Sequence, residues 1–216
     1  NPKNIFNVGP MVLDNLIDNK FLSKEELCKL ISINKLDPFF LITIHPETYG
    51  EHNNLRNIQQ LLKALQKFSN YKLIFTAPNV DLEADIIRAK INDFVKENPN
   101  SFFFDSLGST VYLSLMHYSL CVIGNSSSGI IEAPLLGVKT VNIGSRQSGR
   151  VMSKTIFSSS FNSSDIFESI NSAITDSNKK SLLKLSTKDS PSSKIIEIIQ
   201  KTQFPLTNHK KFHDII

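Results

Sequence analysis

The chain has 216 residues, 40% of them hydrophobic, which is enough to bury a sizeable core and excludes a disordered body. Its 24 Lys and Arg are spread among 20 Asp and Glu for a formal net charge of +4, a solvated surface that argues against nucleic acid as a partner. Cys28 and Cys121 lie far apart in apolar contexts without a CxxC or nearby histidine, and no apolar run approaches a membrane span or a signal peptide, so reduced core cysteines, no metal, no membrane and a cytoplasmic location are expected.

Residues 1–9, NPKNIFNVG, read as the end of an extended connection with a short strand at 5–8, so further chain is expected before them. Residues 11–17 suit a short amphipathic helix or turn. Ser23 with Glu26 three residues on forms a capping box for a helix over 25–33, and Pro38 ends that region. FFLITI, residues 39–44, is a buried strand that hands on to His45-Pro46. A helix over 55–68 places Leu61, Leu62, Leu65 and Phe68 at core spacing. Then come a strand at 71–76, a helix over 83–97, a strand at 101–104, a helix over 109–118, and strands at 120–123 and 138–143 flanking a helical pattern that begins near Ser126.

Residues 158–164, SSSFNSS, read as polar punctuation before a helix over 166–174 capped by Ser164-Asp165. Loops are expected over 176–180 and 186–193, a helix over 194–202, and a polar, partly basic tail from 203 to 216. Strands alternating with helices predict an α/β protein with a Rossmann-like, doubly wound parallel sheet of at least five strands. The expected organisation is a connection over 1–16, one domain over 17–202 and the tail.

The most informative run is 121–150, CVIGNSSSGIIEAPLLGVKTVNIGSRQSGR. A strand stops at Gly124-Asn125, and Ser126, Ser127, Ser128 and Gly129 open a helix, so free N–H groups and small hydroxyls face whatever occupies the turn. That is a diphosphate cradle, although the same serines would serve as an ordinary helix N-cap. Glu132, one turn in, could accept hydrogen bonds from a ribose diol. The next strand delivers Arg146 and Arg150, in a Gly/Ser loop, to the same edge.

His45 stands at a strand's carboxyl end, where it could hold a phosphate when charged, move a proton when neutral, or simply be structural. Asn79 and Asp81 follow another strand and could bond a base, ribose or sugar, or form an Asx turn. The DSLG of 105–108 could read a base edge through backbone groups around Leu107, or be a plain turn. His52, His117, His209 and His213 have no such position and are assigned to surface or packing. No pair of carboxylates lies on this edge, so general acid and base groups would have to come from elsewhere.

GNSSSGIIEAP, GVKTVNIGSRQSGR, the HPE at His45 to Glu47 and the SLG with YLSLM near Tyr112 resemble the C-terminal half of the hydrolysing UDP-N-acetylglucosamine 2-epimerases. That resemblance implies a GT-B-like pair of Rossmann-like domains across a cleft, with the N-terminal catalytic domain not in these residues. It implies that Ser126 and Ser127 bind the diphosphate, Glu132 the ribose and Arg146 the phosphate side, with Leu107 at uracil, Asn79 and Asp81 in the nucleotide-sugar pocket and His45, the catalytic candidate, near the reacting centre.

The implied chemistry removes the proton at sugar C2, eliminates UDP to a glycal and adds water, releasing the free 2-epimeric sugar for nonulosonic (sialic or legionaminic) acid synthesis. No cofactor is implied beyond UDP or a UDP-sugar as ligand, and the full-length protein would be a homodimer or homotetramer. His45 is followed by Pro46-Glu47, as in the hydrolysing group, and not by the Arg-rich motif of relatives that return UDP-ManNAc. The alternatives are a GT-B glycosyltransferase domain and a non-catalytic nucleotide-sugar binding module. This stretch alone would bind UDP weakly and turn over nothing.

Overall fold

Residues 2–18, 20–36, 38–49, 53–177 and 190–203 are described by the computed structural model. The helices, in chain order, are α1 (Val12–Asp18), α2 (Lys24–Leu30), α3 (Asn54–Leu65), α4 (Ala84–Glu97), α5 (Gly108–Tyr118), α6 (Glu132–Leu135), α7 (Ser163–Thr175) and α8 (Pro191–Lys201). The strands are β1 (Phe39–Thr43), β2 (Lys72–Thr76), β3 (Ser101–Phe104), β4 (Cys121–Gly124), β5 (Lys139–Ile143) and β6 (Ile156–Ser159). They form two units, one of residues 20–183 and one of residues 1–19 with 184–216.

The larger unit is a six-stranded sheet in the order β3-β2-β1-β4-β5-β6, parallel at every pairing. This is the expected Rossmann-like, doubly wound α/β architecture, and its strand order reverses direction between β1 and β4. All five residues of β1 are buried because helices cover both faces. Phe40, Ile42, Phe75, Ile123 and Val141 pack with Ile58, Leu61 and Leu65 of α3, Ile91 of α4 and Ile170 of α7, while Phe39, Leu41 and Ile74 are equally buried at the alternate positions. Cys121 belongs to this core, whereas Cys28, on α2, is only half-buried; neither is in a disulfide. The capping box forms as expected, with Ser23 Oγ accepting from Glu26 N–H at 3.2 Å and the Glu26 carboxylate accepting from Ser23 N–H at 2.8 Å.

In the smaller unit, residues 5–8 are not a strand. A 3-10 turn at Pro2–Asn4 precedes them, the Asn7 side chain accepts from Gly9 N–H at 3.1 Å, and Ile5 and Phe6 are exposed. A strand needs a neighbouring ladder, and this apolar run has none among the described residues. α8 begins three residues earlier than expected because Ser190 caps it and Pro191 occupies its first turn, while the Asp14 carboxylate of the same unit accepts from Ser190 Oγ at 2.7 Å and Ser192 N–H at 3.1 Å.

Two further expectations in the larger unit are corrected. Residues 158–159 are not loop but the end of β6, an edge strand whose serines and short apolar content hid it. The cap of α7 is Asn162, whose side chain accepts from Ser164 N–H at 2.9 Å. The tail beyond 203, the loop residues 178–180 and 186–189, and His52, His209 and His213 lie outside the described residues.

Candidate functional site

At the point where the strand order reverses, β1 and β4 run side by side and release their chains together. Gly124 pairs with Thr43 and takes φ 135°; a Cβ there would stand 1.9 Å from the Thr43 carbonyl oxygen. Only glycine allows this approach, which brings the next residue, Asn125, against the end of β1. Asn125 is fully buried and its side chain clamps one residue from both sides: Oδ1 accepts from His45 N–H at 2.7 Å and Nδ2 donates to His45 C=O at 2.9 Å. The Asn125 carbonyl in turn accepts from Gln147 Nε2 at 2.8 Å and Arg146 Nη1 at 3.3 Å. One asparagine therefore joins the loops after β1, β4 and β5.

The held His45 is 7% exposed, and its Nδ1 accepts from Asn79 N–H at 3.0 Å. That bond assigns the ring proton to Nε2. Burial foremost, and then the Arg146 guanidinium against a smaller opposing effect of Asp81, lowers the imidazole pKa to about 4. At physiological pH the ring is therefore neutral, with Nε2–H left as a donor.

After Asn125 the chain does not enter the continuous helix expected from the apolar pattern. A 3-10 turn over Ser127–Gly129 is followed by the four-residue α6. The helical ladder is interrupted twice here: Gly129 C=O accepts from Thr140 Oγ1 at 2.7 Å, and Pro134 has no N–H with which to continue it. So short a helix carries little macrodipole, and an anion held here would have to rely on local amides and hydroxyls.

Ser126 and Ser127 are half-buried at this turn. A file of hydroxyls lies behind them: Ser128 Oγ donates to Ser126 Oγ at 3.0 Å, Tyr112 Oη lies 2.7 Å from Ser128 Oγ and 3.4 Å from Thr43 Oγ1, and Thr43 Oγ1 lies 2.6 Å from Thr76 Oγ1. Glu132, one turn on, keeps Oε2 buried without a hydrogen-bond partner. Burial raises its pKa, with Arg150 a lesser opposing influence. A buried carboxylate oxygen in this state is a ready acceptor for a ligand hydroxyl.

Glu47 holds the loop after β5. Its Oε1 accepts from the N–H of Ser145 at 2.8 Å and of Arg146 at 3.0 Å. The Glu47 backbone is itself fixed by Asn54, which accepts from Glu47 N–H at 2.9 Å and donates to Glu47 C=O at 3.1 Å. The side chain of Arg146 is exposed, and so are Asn79 and Asp81, where Asp81 N–H donates to Asn79 C=O at 2.9 Å in a tight turn. Leu107 is the N-cap residue just before α5, and Gly108 beside it adopts φ 65°.

His45, Asn79, Ser126, Ser127 and Arg146 thus come together around the β1/β4 reversal; Glu132 stands one turn away and Leu107 follows the outer strand β3. Asn125, Glu47 and Gln147 were missed as organisers of the site. The signal for Asn125 was present, because an amide side chain directly after a strand-terminal glycine has two backbone groups within reach. His117 serves packing, stacked on Phe21 with ring centroids 4.7 Å apart. Among the described residues no cluster of three or more His, Cys, Asp or Glu could hold a metal, and no helix is long and apolar enough to cross a membrane.

A family model described as UDP-N-acetylglucosamine 2-epimerase matches residues 1–200. The chain is 37% identical over 172 residues to a Campylobacter jejuni GDP/UDP-N,N'-diacetylbacillosamine 2-epimerase (hydrolyzing), an alignment that covers 79% of this chain and 45% of that protein. It is 38% identical over 156 residues to polysialic acid biosynthesis protein P7 of Escherichia coli, with 72% of this chain and 39% of the relative covered. The chain therefore spans less than half the length of these curated relatives. The fold is similar to that of a Methanocaldococcus jannaschii UDP-GlcNAc 2-epimerase in complex with UDP-GlcNAc and UDP, with a TM-score of 0.69 at 14% identity, covering 94% of this chain and 56% of that one. With a family model matched along residues 1–200 and relatives at this level of identity, the chain belongs to the UDP-N-acetylglucosamine 2-epimerase family.

Proposed function

We propose that this chain is the UDP-binding half of a hydrolysing 2-epimerase acting on UDP-N-acetylglucosamine or UDP-N,N'-diacetylbacillosamine and releasing the free 2-epimeric sugar for nonulosonic acid synthesis. The observation that carries the reading is the grouping at the β1/β4 reversal. A neutral histidine with its proton on Nε2, a turn of half-buried serines and a buried carboxylate oxygen without a partner converge where α/β sheets bind nucleotides. The hydrolysing activity of the Campylobacter jejuni relative and the His45-Pro46-Glu47 sequence favour the hydrolysing reaction.

In this reading Ser126 and Ser127 hold the diphosphate and Arg146 neutralises it from the β5 side. Glu132 accepts from the ribose hydroxyls, the backbone at Leu107 meets uracil, and Asn79 and Asp81 border the nucleotide-sugar pocket. His45 Nε2–H donates to an oxygen of the departing diphosphate, stabilising the charge that grows there as the C–O bond breaks. No base for the C2 proton stands at this site among the described residues, so in this reading it comes from chain outside residues 1–216, which alone would turn nothing over.

Calorimetric titration with UDP, and with UMP and ADP as controls, tests the reading. Saturable binding that prefers UDP is expected, and Glu132→Ala and Arg146→Ala should each weaken it by about 1 to 3 kcal/mol. Unchanged affinity in both variants would refute the assignment.

A further inference from the structure

We infer that Tyr112 is a positioning residue for the diphosphate: it stands in the middle of a one-way file of hydroxyls that leaves Ser126 Oγ able only to donate toward the bound anion. The inference rests on the nucleotide reading above and adds to it a residue that touches no ligand.

The direction of the file follows by elimination. Ser126 Oγ accepts from Ser128 Oγ at 3.0 Å and from Ser128 N–H at 3.4 Å, so both of its lone pairs are engaged and its own proton points elsewhere. Ser128 has spent its only hydroxyl proton on Ser126, hence the proton in the 2.7 Å contact with Tyr112 is the tyrosine's. Tyr112 can then only accept in its 3.4 Å contact with Thr43, which makes Thr43 the donor there. Thr43 in turn accepts from Thr76 at 2.6 Å. Protons therefore point in one sense from Thr76 through Thr43, Tyr112 and Ser128 to Ser126.

The far end of the file is set by the sheet, since Thr43 and Thr76 are register partners on β1 and β2 and both are buried. Burial also raises the Tyr112 pKa, which keeps the phenol protonated and able to donate. Aligned hydroxyls polarise one another, so each donor upstream strengthens the last one. A file running the other way would present a lone pair to the phosphate and repel it.

The experiment compares wild type with Tyr112→Phe, Thr43→Val and Ser126→Ala, measuring melting temperature and affinity for UDP and for uridine. Tyr112→Phe keeps the ring and removes only the hydroxyl. Ser128 is then free to rotate and Ser126 to turn its proton inward. The expected result is a loss of about tenfold in UDP affinity with uridine affinity unchanged, a smaller loss in the same sense for Thr43→Val, and little further loss when Tyr112→Phe is combined with Ser126→Ala.

Full UDP affinity in Tyr112→Phe beside a weakened Ser126→Ala would overturn the positioning role and leave the nucleotide site standing. Equal losses for UDP and uridine would reduce Tyr112 to a packing residue and overturn it as well. Undiminished UDP affinity in both Tyr112→Phe and Ser126→Ala, or no UDP binding by wild type, would remove the site and the inference together. Should Tyr112→Phe fail to fold, Thr43→Val carries the same comparison and decides in the same way.

Discussion

Replacing Asn125 with alanine tests the centre of the site most directly. The side chain is fully buried and satisfies both backbone groups of His45, itself 7% exposed, at 2.7 and 2.9 Å. Truncation strands a buried N–H and a buried C=O, each costing about 1–3 kcal/mol, so the combined loss is about 2–5 kcal/mol once partial relaxation is allowed for. For a unit of this size that corresponds to a fall in Tm of roughly 5–15 °C by thermal unfolding.

Asn125→Asp is the sharper variant. It keeps the acceptor for His45 N–H but turns the other oxygen toward the His45 carbonyl. Its burial would raise the carboxyl pKa, so the variant should regain stability as the pH falls and the acid again donates, and lose it as the pH rises. Melts at pH 5 and pH 8, each referred to wild type at the same pH, read this out. An alanine variant melting within about 2 °C of wild type, or an aspartate variant whose deficit is the same at both pH values, would show that the clamp does not hold the loop.

His45 supplies a prediction of opposite sign. Its pKa is about 4 when folded against an ordinary 6.5, so between those values the unfolded chain binds the proton first and stability falls with pH. The loss reaches about 3 kcal/mol below pH 4 and is absent above 6.5; denaturant titrations should show it in wild type and not in His45→Asn, which keeps an acceptor for Asn79 N–H. Glu132→Gln should leave the ligand-free fold at least as stable, because a buried carboxylate oxygen without a partner is disfavoured, yet it should weaken UDP; a less stable protein with intact affinity would contradict this. Gly124→Ala places a methyl group 1.9 Å from a backbone oxygen of the neighbouring strand and should cost about 4 kcal/mol or more, seen as loss of folded protein in expression or by circular dichroism.

Much of the sheet was legible because its strands are continuous apolar runs punctuated by His-Pro, Pro-Asn and Gly-Asn, and such runs have one reading when both faces are covered. β6 was not, since an edge strand needs little hydrophobicity and its serines resemble a loop. The strand expected at residues 5–8 failed for the converse reason: an apolar alternation implies a strand only where a partner exists. Around the site, the positions that follow strands could be read from the chain alone. Who holds whom could not. That Asn125 grips His45 depends on β1 and β4 being neighbours, a relation between residues 80 apart, and the break between Gly129 and α6 depends on Thr140 reaching across from β5.

The Glu47 carboxylate has a consequence for how a nucleotide would be received. Two successive amides, those of Ser145 and Arg146, converge on its oxygen much as they would on a phosphate. An internal anion already fills that nest, so the loop bearing Arg146 is shaped before any ligand arrives, and the entropy of ordering it is settled during folding and not at the encounter. The arrangement also closes a competing berth: under the proposed reading, a diphosphate would find those two amides taken and be left with the serine turn.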